Sequence, residues 1–147
     1  MNAPLLPSDV AEDREAVRRH GLAEFVRLAW HQVDPSPLIW SWHLDAMCEH
    51  LEAVARREIR DLAINLPPGL SKSRVASVLF PSWVWALDPE RRFLCASYSG
   101  DVVLRDARKM RTLVEGNWYR ERWPGVRIPR DETASTAAAL FENTRKG

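Results

Sequence analysis

An α/β architecture, with a parallel sheet flanked by helices and preceded by an N-terminal helical segment, is what this 147-residue sequence predicts. Two observations carry the expectation. Apolar runs at residues 62–66 and 93–98 have the length of buried strands, and charged or turn-forming residues bound them. Segments of helical periodicity alternate with these runs, and the order strand, loop, helix, strand, helix calls for parallel crossovers.

Residues 1–8 contain Pro4 and Pro7 and little periodicity, and read as a loose lead-in. Residues 10–33 read as helix with a break at Gly21; beyond it Leu22, Phe25, Val26, Leu28 and Ala29 line one face. Pro35 and Pro37 then force a turn. Residues 42–57 form a second amphipathic helix, in which Leu44, Met47, Cys48, Leu51, Val54 and Ala55 recur at helical spacing. The first strand follows at 62–66, and after a loop a helical stretch runs over 73–87, where Pro81 predicts a kink or two helices. The second strand is expected at 93–98. Asp101 is a candidate cap for a third helix to residue 115, with Val103, Ala107, Met110 and Val114 inward. A further strand is expected at 137–141.

Composition bounds the function classes. A hydrophobic share of 46% with 28% charged residues indicates a soluble globular chain with one moderate core. A net charge of +1 does not describe a uniformly basic nucleic-acid-binding surface, although Arg105, Arg108, Lys109 and Arg111 cluster locally, as a solvated helix face or a DNA-facing patch. Cys48 and Cys95 sit in apolar segments, away from any CxxC spacing, and read as buried free thiols. The N-terminus has no basic start or sustained apolar run, and no segment has the length of a membrane span, so an intracellular, reduced protein is expected.

The stretch with chemical content is Ile64-Asn65-Leu66-Pro67-Pro68-Gly69-Leu70-Ser71-Lys72-Ser73. A strand that enters a tight loop, followed by Lys-Ser at a helix start, is the layout of a phosphate-binding loop. Leu66 and Ser71 stand where the G-x-x-x-x-G-K-[ST] pattern has glycines. From the loop alone, a nucleotide site and an ordinary strand-to-helix turn both fit.

The wider pattern resembles the ATPase domain of tailed-phage terminase large subunits. The resemblance rests on collinear motifs: Trp42-His43-Leu44-Asp45-Ala46, Asn65-Leu66-Pro67-Pro68 with Lys72-Ser73, Phe80-Pro81-Ser82-Trp83, Cys95-Ala96-Ser97-Tyr98-Ser99, Glu115-Gly116-Asn117-Trp118-Tyr119 and Phe141-Glu142-Asn143. It implies a partial P-loop NTPase sheet over 22–147, after a lead-in and helix at 1–21. The domain is expected to stop before its Walker B strand, with the nuclease domain beyond the chain.

It further implies ATP and Mg²⁺ as ligands. Gly69, Leu70 and Ser71 would offer backbone N–H groups, Lys72 would contact the outer phosphates and Ser73 would hold the metal. Trp42 and His43 match the adenine-side positions, although Trp42 at a helix start equally suits core packing. No catalytic residue is assigned within the chain, and an Arg that the family often carries in the loop is replaced by Gly69. The implied function is the front part of an ATP-driven motor that packages duplex DNA, an enzyme at full length; the alternative is a non-catalytic or degenerate remnant of the same fold. Double-stranded viral DNA, a terminase small subunit, a portal protein and further copies of the chain are the implied partners, with no membrane. The implied place is the host cytoplasm, transiently at the procapsid portal.

Overall fold

The computed structural model describes residues 7–128 together with Asn143 and Arg145. Helix α1 (Pro7–Val33) is broken where the sequence predicts, at Gly21, with φ 67° and ψ −146°. Glycine suits the position twice over: its φ is left-handed, and a Cβ would lie 2.2 Å from Glu52 Oε1 and displace that carboxylate. That carboxylate accepts the Leu22 N–H at 2.7 Å, so one side chain bridges the break. Helix α2 (Trp42–Ala55) turns Leu44, Met47, Cys48 and Leu51 inward. Burial pushes the Cys48 thiol up to about 12, which makes it an inert core residue.

After a loop, helical structure resumes at Lys72. Residues Arg74–Leu79 form a π-helical stretch that runs into α3 (Phe80–Leu87). Pro81 explains the widened turn. Proline has no N–H and crowds the carbonyl of the preceding turn, and the π register relieves that crowding without breaking the helix. The Phe80 N–H accordingly bonds back to the Val75 carbonyl, and Ser82 Oγ donates to the Val78 carbonyl at 2.8 Å. Helix α4 (Gly100–Glu115) and the short α5 (Asn117–Arg122) complete the described elements. Ser99, and not Asp101, flanks the start of α4, and no side-chain cap bond forms there.

The π stretch and α3 are central. Val75, Val78, Leu79, Trp83 and Val84 pack between α1 and α4, while α5 closes on α1. Phe25 of α1 meets Trp118, Tyr119 and Trp123 with ring centroids 6.0, 6.3 and 5.4 Å away, so these aromatics pack the core. Tyr119 donates to the Ser82 carbonyl at 2.7 Å, and burial raises its pKa. Arg122, 2% exposed, donates to Asp13 Oδ2 from Nε at 2.8 Å and from Nη2 at 2.5 Å, and to the Trp118 carbonyl from Nη1 at 3.0 Å.

The expected sheet is not there. Among the described residues the structure has no strand, so an α/β fold, and with it the partial P-loop NTPase sheet, is overturned in favour of a helical assembly. The physical reason is pairing. A strand is held by a ladder of backbone hydrogen bonds, and neither 62–66 nor 93–98 makes one with any described residue. Residues 62–66 still behave as an apolar run: Leu62, Ile64 and Leu66 pack half-buried on the core. Residues 93–98 do not, for Leu94 and Tyr98 are each 97% exposed, and Cys95 is exposed where burial was expected. The strand expected at 137–141 lies outside the described residues, as do Phe141 and Glu142 of the last motif. Asn143 is held by the Pro89 carbonyl, to which its Nδ2 donates at 2.6 Å. No helix among the described residues is long and apolar enough to cross a membrane.

Candidate phosphate-binding site

Three half-buried side chains, Leu62, Ile64 and Leu66, pin the approach to the loop against the core. Pro67 and Pro68 then limit the backbone to φ near −65° and carry it into a turn. Gly69 follows at φ 88°, with open space where a Cβ would stand. Ser71 is also left-handed, at φ 61°. The position that a phosphate-binding loop reserves for glycine thus takes a glycine-like conformation here, with serine occupying it.

Left-handed residues in a tight loop turn successive N–H groups toward a common side, the geometry of anion-binding concavities. The Ser71 carbonyl receives the Val75 N–H at 3.0 Å and so begins the helix, placing Lys72 and Ser73 in its opening residues. The backbone N–H groups of residues 69–73 meet no acceptor among the described residues. A run of unsatisfied N–H groups at a helix start carries positive potential and favours an anion.

Residues 67–74 form one wall of a cavity of about 290 Å³, and Arg105, Asp106 and Lys109 of α4 form the other. Four cationic side chains, Lys72, Arg74, Arg105 and Lys109, line it against one carboxylate, Asp106. Two of the cations are tied. Arg74 pairs through Nε with Asp34 Oδ2, and Arg105 donates to Asp106 Oδ1 at 2.9 Å. Among the described residues the one hydrogen bond of Lys109 Nζ is a long one, to the Val33 carbonyl at 3.4 Å. Lys72 has no hydrogen bond or ion pair with any described residue.

Asp34 sits behind this wall and is 4% exposed. Its Oδ1 accepts the Ser36 N–H at 2.8 Å. That bond holds its pKa below the usual carboxylate range against the opposing effect of burial, and the charges of Arg74 and Lys109 add to the depression. An ionised, buried carboxylate thereby fixes one Arg of the cavity.

All five loop residues singled out by the sequence, Gly69, Leu70, Ser71, Lys72 and Ser73, line this cavity. Trp42 and His43 do not. They stand at the start of α2 with ring centroids 6.3 Å apart, and Trp42 is 77% exposed. The engaged aromatic of that region is Trp40, which lies 3.7 Å from the Arg27 guanidinium and donates from Nε1 to Asp45 Oδ1 at 2.9 Å. Sequence reasoning passed over Arg74, Asp34 and Asp106, and took Arg105 and Lys109 for a solvated or DNA-facing patch. The i, i+4 spacing of Arg105 and Lys109 could have signalled a shared face. Their proximity to the loop is set by tertiary packing alone.

Compared with protein-family models, with curated proteins and with solved structures, the chain matches none of them.

Proposed function

We propose that the loop at residues 69–73 binds the phosphates of a nucleoside triphosphate, ATP with Mg²⁺. The observation that carries the proposal is the set of backbone N–H groups at 69–73 with no acceptor among the described residues, beside Lys72, in the lining of a cavity that brings four cationic side chains together with one carboxylate. Lys72 supplies the mobile point charge for the outer phosphates, and the N–H groups orient the oxygens. For the metal the lining offers the Ser73 hydroxyl, so Mg²⁺ would arrive on the phosphates and take most of its ligands from them and from water. Ser73 lines the cavity and would hold Mg²⁺, which when bound lends Lewis acidity to the phosphoryl group.

Taken with the collinear motifs, this reading extends to the front part of an ATP-driven DNA-packaging motor of the terminase large-subunit kind. In that setting duplex viral DNA, a terminase small subunit, a portal protein and further copies of the chain are its partners, and the host cytoplasm is its place of action. The helical fold lends this wider role no support, so it rests on the motifs. One observation favours the second reading, a related module that holds nucleotide without turnover. Asp106 is the single carboxylate of the lining, and it is committed to Arg105, so no described carboxylate is free there to polarise water.

Calorimetric titration of the chain with ATP and Mg²⁺ tests the site. Lys72→Ala should weaken binding by about tenfold to a hundredfold, the value of a charge-assisted hydrogen bond to phosphate, with the far-UV spectrum unchanged. Equal binding by the wild type and Lys72→Ala would remove the loop from consideration.

A further inference from the structure

We infer that α4 is the second wall of this site, and that Arg105 and Lys109 bind the phosphate chain directly from the side opposite the loop. The inference rests on the phosphate-site reading and adds residues that the loop motif does not contain. A triphosphate carries several negative charges. The loop answers them with backbone N–H groups and Lys72, since its other cation, Arg74, is drawn back onto Asp34. Across the cavity, Arg105 and Lys109 are four residues apart on one helix and share a face.

Both side chains suit the role. Arg105 is oriented in advance: Nε and Nη2 hold Asp106 Oδ1 at 2.9 and 2.8 Å, which fixes the guanidinium plane and leaves other N–H donors open. Lys109 is held by one long hydrogen bond, to the Val33 carbonyl at 3.4 Å, and Asp34, on which its charge also acts, keeps Arg74 and the Ser36 N–H when Lys109 turns to an anion. Arg108 and Arg111 lie on the same helix outside the cavity lining, and Arg111 is paired with Glu115 at 3.1 Å. The helix therefore divides its charge between a face toward the cavity and a face toward solvent.

The test titrates the 147-residue chain with inorganic tripolyphosphate, which isolates the phosphate chain from the base. Lys109→Gln should weaken binding about tenfold, as should Arg105→Gln, while Arg108→Gln should change it less than about twofold. Lys109→Gln is the decisive variant, because Arg105→Gln also leaves the buried Asp106 without its partner. If Lys72→Ala weakens binding and Lys109→Gln does not, the α4 wall is wrong and the loop reading survives. If Arg108→Gln weakens binding as much as Lys109→Gln, the effect is general charge and the assignment falls. If Lys109→Gln acts and Lys72→Ala does not, α4 binds phosphate on its own and the loop reading falls.

Discussion

Ser71 holds φ 61°, a conformation that a Cβ raises by roughly 1–2 kcal/mol. Its carbonyl must nonetheless be there, because it takes the first helical bond from Val75. Ser71→Gly should therefore stabilise the folded chain by about 1 kcal/mol, less a small entropic loss in the unfolded state, as read from the urea midpoint. A destabilised variant would show that the serine side chain does something that its backbone conformation does not reveal. Asp34 offers a second test at this scale. Its native pKa is depressed, so it binds fewer protons folded than unfolded. Its contribution is present above the unfolded value of about 3.9 and disappears as pH falls through the native value. Asp34→Asn should flatten the acid side of the stability profile below about pH 4. The residues of the loop were legible from their order in the chain. Asp34 was not, because a single Asp before a proline turn looks like an ordinary turn residue.

Helices were legible because amphipathic periodicity reports a buried face directly: the break at Gly21, the extent of α2 and the helical run across Pro81 all follow from it. The strands failed because an apolar run reports burial and says nothing about a hydrogen-bonding partner. Residues 62–66 bury their alternate side chains as a strand would, yet pair with nothing described. The π stretch at Arg74–Leu79 was likewise invisible, since Pro81 announces a disturbance without choosing its form. This stretch sets the rotation of Lys72 relative to α3. Inserting one alanine after Ser77, which a stretch already one residue over cannot absorb, should swing Lys72 by about 100° around the axis. Phosphate binding should then be lost while helical content remains; retained binding would mean that the loop orients itself independently of the helix behind it.

Among the described residues the core is one continuous body, and the large apolar side chains left exposed outside it are Ile39, Trp42, Leu87, Phe93, Leu94 and Tyr98. The site is a product of that body, as loop and α4 meet only because the π stretch packs between α1 and α4. Asp13 and Arg122 tie the first helix to the last across 109 residues of chain. Asp13→Ala leaves a buried guanidinium uncompensated and should cost about 3 kcal/mol. Distance along the chain also decides when the link can form. Closing so long a loop carries an entropic penalty that most of the core must offset first, so the pair acts as a clasp that fastens late. Its loss should fall on one limb of the chevron. Refolding should keep nearly its wild-type rate, and unfolding should accelerate by about a hundredfold.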